Sequence, residues 1–297
     1  MRNFKAFENE LLFNSNLTFG MNTNRVKKMQ QWLVIDNYSV DKTRNILSEI
    51  DGKFGNRTLE AVKKFQKKYN LPETGIIDRS TFNQLTLPLK SAFSIAQLTS
   101  INTRNLILEI ATIHLKNNAT EILNPSSNRG PWVRSYCNGD DDEAATNGPK
   151  WCAGFVKTII DIACDKMKID FNIVFKNSLD CDEIANWAKR KNSLIKNENL
   201  ATSIERIQKG DLFLTYSTTA GSEWVHIGFI IDIKPNGDIT TIEGNASEDS
   251  ELNGSGERVI KKKRNLFNVF YFNNNVNVPV NDPRGHKNYY EVITLNV

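Results

Sequence analysis

Apolar residues recur along this chain with two different periods, and the change from one to the other divides it. In the first ninety residues the spacing is helical. Val26, Met29 and Leu33 fall at i, i+3 and i+7, and Leu59, Val62, Phe65 and Tyr69 share adjoining faces of a helix predicted from about 57 to 69. Lys63, Lys64, Lys67 and Lys68 lie largely on its opposite, wet side. Leu71-Pro72 stops that helix, because proline pushes the residue before it out of the α region. A short third helix, about 79 to 85, follows Asp78 as its N-cap. With turns at Asp51-Gly52 and Thr74-Gly75, these make a small three-helix bundle, and Leu87-Pro88-Leu89 with the stretch up to Ser100 reads as a linker.

Beyond the linker, an amphipathic helix is predicted from Thr103 to about Asn117, then an irregular polar stretch from 124 to 150. A helix starting at Cys152 carries Phe155, Ile159, Ile162 and Ala163 on one face, and a further helical segment spans about 182 to 191. From Gly210 onward the period falls to two. Strand-like runs cover 211–216, 225–233, 239–242 and 268–272, and Lys234-Pro235-Asn236-Gly237-Asp238 between two of them signals a hairpin. Helices first and an antiparallel sheet after give an α+β class. Residues 274–297 are polar, contain two prolines and show no period, so they are left unassigned. The expected organisation is therefore 20–88, 100–273 and a tail at 274–297.

Composition narrows the class. Apolar residues at 39%, charged residues at 24% and a mean hydropathy of -0.44 describe a soluble globular chain, neither fibrous nor disordered. No apolar run approaches the ~20 residues of a membrane span. Leu11-Leu12-Phe13 is too short for a secretory signal, so synthesis in the cytoplasm without a signal peptide is expected, with another route to any site of action outside. The net charge of +4 is uneven, since 13 Lys/Arg against 7 Asp/Glu between Gly20 and Lys90 make that module +6 and leave the remainder at -2. A basic module favours an anionic partner such as a wall polymer, a nucleic acid or a membrane surface. Nucleic acid fits poorly, because the lysine-rich helix has no interleaved aromatics or known reader motif.

Four cysteines are too few for a disulfide framework, none forms a Cys-x-x-Cys pair, and His114, His226 and His286 are far apart, so no zinc site is expected. Asp140-Asp141-Asp142-Glu143 offers hard oxygens for Ca²⁺ but lacks the alternating spacing of a calcium loop, and a solvated loop is the better reading. No cofactor is expected.

Nucleophilic chemistry fits better. Gly148-Pro149 breaks the chain just before Trp151-Cys152-Ala153-Gly154, which puts Cys152 at the first turn of a helix, where unpaired N–H groups and the macrodipole favour a thiolate. Cys164, deep in the same helix, reads as a buried hydrophobe. His226 sits among strand apolars, and the hairpin after it brings Glu243 and Asn245 back alongside, where either could fix the imidazole. Trp151 and Trp224 flank the pair in sequence and either wall a substrate cleft or pack in the core. The sulfur and the imidazole are expected to meet in an open groove, with Cys137 and Cys152 both free thiols.

Five blocks occur in order: Asn128-Arg129-Gly130-Pro131-Trp132-Val133, Lys150-Trp151-Cys152-Ala153-Gly154-Phe155-Val156, Lys209-Gly210-Asp211-Leu212-Phe213, Val225-His226-Ile227-Gly228 and Glu243-Gly244-Asn245. Over roughly 101 to 272 the chain resembles the CHAP domains, cysteine- and histidine-dependent amidohydrolases/peptidases with a papain-like fold. That resemblance implies Cys152 as nucleophile, His226 as general base, Glu243 and Asn245 as the groups that orient or polarise it, and hydrolysis of a peptidoglycan amide. Independently, Val26 to Leu33, Asp51-Gly52-Lys53-Phe54-Gly55, Thr58 to Val62, Phe65-Gln66 and Thr74 to Asp78 resemble the three-helix peptidoglycan-binding domain, with 37–48 as an insertion. Together they imply a monomeric cell-wall amidase or endopeptidase whose partner is peptidoglycan. Its setting would be that of a phage endolysin with a holin or an exported effector with an immunity protein. The alternative is a non-catalytic wall-binding protein with a decayed hydrolase fold.

Overall fold

The computed structural model of the 297-residue chain describes residues 4–36, 49–122, 128–139, 151–218, 223–247, 258–268, 271–273, 276–278 and 288–297. The chain forms two compact units: a helical one from Asn3–Phe93 with Ala119–Pro149, and a sheet-bearing one from Met1–Arg2, Ser94–Asn118 and Lys150–Val297. The α+β class expected from the change of period is what the chain adopts.

In the helical unit, α1 (Lys5–Glu10) precedes α2 (Asn24–Ile35), α3 (Asn56–Lys68) and α4 (Arg79–Ala92). The Thr23 hydroxyl caps α2 by accepting from the Val26 N–H, and Asp78 caps α4 through the Thr81 N–H. One glutamine device is used twice. The Gln30 amide donates to the Lys53 carbonyl and the Thr58 hydroxyl, both at 3.0 Å, while its oxygen accepts from the Gly52 N–H at 2.8 Å. Gln66 does the same after α3, donating to the Ile76 carbonyl and the Thr81 hydroxyl and accepting from the Gly75 N–H at 2.9 Å. The two glycines so held have φ of +77° and +71°, which a side chain would strain. Each turn is thereby stapled to the helix before it.

Two sequence expectations change here. The helix expected to end near 85 runs on through Pro88 to Ala92. Proline removes one helical N–H, but burial of Leu85, Leu89 and Ala92 on a single face outweighs the loss, so the first part of the expected linker, to Ala92, is helix. The stretch read as irregular from 124 contains α6 (Pro131–Cys137), opened by proline at its first turn and by Gly130 at φ +112°. It packs within the helical unit, where Trp132 meets Trp32 edge-on and Arg134 donates from Nε to buried Glu10 at 2.7 Å.

The sheet unit contains α5 (Thr103–Lys116), α7 (Cys152–Met167), α8 (Phe171–Val174), α9 (Cys181–Arg190) and α10 (Leu200–Ser203). Its strands are β1 (Leu194–Ile195), β2 (Leu212–Ser217), β3 (Glu223–Ile233), β4 (Asp238–Ala246), β5 (Arg258–Asn265) and β8 (Asn288–Ile293), in the antiparallel order β1-β8-β2-β3-β4-β5. The expected 234–238 hairpin joins β3 to β4. Helix α7 lies against β3 and β4, with Phe155 edge-on to Phe229, and α5 packs on α7. In the main sheet, β1, β5 and β8 were not anticipated; β8, from the unassigned tail, inserts between β1 and β2. Of the strand read at 268–272, residues 271–272 lie in β6 (Tyr271–Asn273), which pairs with β7 (Val276–Val278) outside the main sheet.

Candidate active site

Cys152 is the first residue of α7, which Trp151 caps without a side-chain hydrogen bond, so the dipole of a 16-residue helix acts on the sulfur. His226 comes from the middle of β3 and Glu243 from the neighbouring β4. Nε2 of the imidazole and Oε2 of Glu243 are 2.9 Å apart. Nε2 is therefore the protonated, donating nitrogen. Nδ1 is buried with no hydrogen-bond partner among the described residues, and the ring also interacts with the Cys152 thiol. Gly228 makes this packing possible, since a Cβ there would stand 2.7 Å from the Phe213 ring and 3.0 Å from Glu243 Cγ.

The carboxylate is held on every side. Arg264, from β5, donates from Nε to Oε1 and from Nη2 to Oε2, each at 2.7 Å, and the Thr241 hydroxyl gives Oε1 a short hydrogen bond. The guanidinium also donates from Nη1 to the Tyr290 hydroxyl at 3.0 Å and lies over the Phe213 ring, 5.1 Å from its centroid.

Protonation follows from these contacts. A hydrogen bond from the Cys181 thiol, at the head of α9, draws the Cys152 thiol well below its ordinary range despite burial, with His226 acting in the same direction. Burial alone would lower His226, but the thiolate and Glu243 raise it above its ordinary value. Burial likewise opposes ionisation of Glu243, and the Arg264 charge and hydrogen bonds hold it well below the usual carboxylate range. These shifts favour a thiolate and an imidazolium in the pair, and an ionised carboxylate behind the ring.

The sequence-derived residues fare differently. Cys152, His226 and Glu243 come together, but at 1% and 0% exposure the sulfur and the ring are buried, not set in an open groove. The imidazole lies between a polar and an apolar neighbour: the Glu243 carboxylate at 2.9 Å and the Phe213 ring, 5.8 Å between centroids. Asn245 does not reach the imidazole: it follows Glu243 by two residues at φ +55°, and neither atom of its buried amide has a partner among the described residues. Trp151 walls no cleft, because it is wholly buried with its ring under Gly244. Half-buried Trp224 serves as a strut. Its backbone N–H donates to Asp182 of α9 at 2.7 Å, its indole N–H donates to Glu291 of β8 at 2.9 Å, and the Lys189 ammonium lies 4.1 Å from its ring. No disulfide joins any of the four cysteines. The acidic run 140–143, the Gly148-Pro149 break and the insertion 37–48 lie outside the described residues.

Residues 22–85, spanning α2, α3 and the first half of α4, match the family model "Putative peptidoglycan binding domain". The chain carries a peptidoglycan-binding module. The match does not extend to the sheet unit, and no curated protein matches the chain. The module implies association with the cell wall. Among the described residues, no helix is long and apolar enough to cross a membrane. Beside the matched residues, a cavity of about 320 Å³ is floored by Leu17, Met29, Ile77 and Phe82, with Arg25 and Lys28 among its lining residues. Its wall from Asn9 to Leu17 precedes the match, so part of this module's surface is supplied by chain outside the family pattern.

Cys181, Thr241, Arg264 and Tyr290 complete the site and were not singled out from sequence. Arg264 ends the run Lys261-Lys262-Lys263, which reads only as charge, and Tyr290 lies in the tail that showed no period.

Proposed function

We propose that this chain is a peptidoglycan hydrolase that cleaves an amide bond of the wall through Cys152, brought to its substrate by the binding module. The observation that carries this reading is a thiol at a helix head beside an imidazole whose far nitrogen is fixed by a carboxylate. That is the arrangement nucleophilic acyl transfer needs.

In this reading the thiolate attacks the amide carbonyl carbon, and the oxygen takes up negative charge facing the backbone N–H of Cys152. As the C–N bond breaks, the His226 imidazolium gives its Nδ1 proton to the departing amine, leaving a thioester on the sulfur. Water then adds to the thioester carbon while Nδ1 accepts its proton, and collapse releases a carboxylic acid and regenerates the thiolate and imidazolium. Glu243 keeps the Nε2–H tautomer throughout and balances the ring's charge. The bond cut is a muramoyl–alanine amide or a peptide bond of the stems or cross-bridges, and its location makes the wall the site of action. The CHAP resemblance points the same way.

The test is Cys152→Ala in the full chain. Purified walls should no longer be solubilised, while sedimentation with those walls is unchanged; undiminished lysis would end the assignment. A decayed centre would instead show a Cys152 thiol with an ordinary pKa of about 8.5 by alkylation across pH.

A further inference from the structure

Glu243 has about four lone-pair directions, and all are occupied: Oε1 by Arg264 Nε and Thr241, Oε2 by Arg264 Nη2 and His226. We propose that Arg264 is a positioning residue for His226, its planar fork fixing the plane of the Glu243 carboxylate so that Oε2 stays aimed at Nε2. This rests on the reading of Cys152 and His226 as the reacting pair.

Three features distinguish the arrangement from simple neutralisation of a buried acid. The contact is two-pointed, which a compact ammonium could not reproduce. The guanidinium is itself held, at Nη1 by Tyr290 and on its face by Phe213. The partners come from four strands: His226 from β3, Glu243 and Thr241 from β4, Arg264 from β5, Tyr290 from β8. The imidazole's orientation is thus tied to the sheet and not to one loop.

The groups that bear on this chain of contacts are Cys152 on α7, Cys181 on α9, and the strand residues just named. Without the arginine, the buried carboxylate loses its counter-charge and accepts a proton more readily. A neutral Glu243 stabilises the imidazolium less, and the proton passes to the sulfur. Loss of Arg264 should therefore be felt at Cys152, with the thiolate surviving over a narrower acid range.

The readout is iodoacetamide alkylation of Cys152 in the full chain, followed by mass spectrometry of its peptide across pH, beside wall lysis. In Arg264→Met the acid limb of alkylation should move up by about one pH unit, a tenfold change in thiolate fraction on that limb, and kcat should fall about tenfold or more with KM nearly unchanged. Arg264→Lys, which keeps charge but not the fork, should restore the limb and only part of kcat. In a Glu243→Gln background, Arg264→Met should add no further shift. A limb that coincides with the unsubstituted protein's, alongside a lower Tm, would reduce Arg264 to a structural role and overturn the proposal. So would a shift that persists in full in the Glu243→Gln background, or an Arg264→Lys protein equal to the parent in both readouts. Should Arg264→Met fail to fold, Arg264→Lys with Tyr290→Phe, which removes only the Nη1 acceptor, decides in its place. Absence of lysis by the unsubstituted protein would instead remove the hydrolase reading, while the alkylation profiles still judge Arg264.

Discussion

A thiolate at 1% exposure persists only if something other than water holds its charge. Here the first such group is the Cys181 thiol, followed by the imidazolium and the Ala153 N–H. The thiol is drawn down and the imidazole up, so the ion pair exists between the two displaced values. Alkylation of Cys152 should therefore begin well below the ordinary thiol range. Hydrolysis should follow a bell whose alkaline limb lies above 6.5, the ordinary histidine value. Cys181→Ala removes one donor to the sulfur, so less stabilisation favours the thiolate and its acid limb moves to higher pH. Cys181→Ser keeps a hydroxyl donor and should move it less. Profiles unchanged from the parent's in both variants would assign the lowering to the helix head and His226 alone. The sequence made Cys152, His226 and Glu243 legible because each sits in a local pattern: a chain break before a helix, and a hairpin that returns one strand beside another. Cys181 and Arg264 act across elements distant in sequence, and no local spacing marks such a meeting.

At the scale of elements, β8 matters most to the site and was least visible beforehand. It fills the sheet between β1 and β2, and its Tyr290 fixes Arg264. Just beyond it, the Leu295 N–H donates to buried Asp211 at 2.9 Å, and Asp211 accepts from Arg104 of α5 at 2.7 Å. Its alternation is masked by Asn288, Tyr289 and Glu291, polar residues whose tolerance inside depends on partners contributed by other strands. The same holds for β5, whose lysines occlude an inward row of Ile260 and Arg264. Deleting 288–297 leaves the edge of β2 unpaired and removes the Leu295 N–H from Asp211 and the Tyr290 hydroxyl from Arg264 Nη1. The truncated chain should lose near-ultraviolet circular dichroism and the low-pH alkylation of Cys152. Retention of both would show that the tail is dispensable to the site. By contrast, α2, α3, α5 and α7 were readable because their burial follows a 3.6-residue period within each segment.

For the whole molecule, the informative departure is that residues 119–149 belong with the helical unit although the chain on either side of them belongs with the sheet. A linear reading assigns such a segment to its sequence neighbours, and its Gly130-Pro131-Trp132 block looked like part of the catalytic module. Its place is fixed by contacts that composition cannot announce: Trp132 against Trp32, Tyr136 stacked on Phe93, and Arg134 with Glu10. The last pair gives the segment a measurable weight. Glu10 is buried, and Lys28, 3.3 Å away, is its other cation. Arg134→Met leaves the carboxylate with Lys28 alone. Full loss of compensation costs about 3–5 kcal/mol, so a destabilisation on the order of 2 kcal/mol is expected with one cation remaining. Wall sedimentation should weaken and the melt of the helical unit should fall, while the pH profile of Cys152 alkylation, read in the other unit, serves as the control and stays in place. A melt unaltered by Arg134→Met would mean that Lys28 suffices for Glu10 and that aromatic packing alone holds the inserted segment.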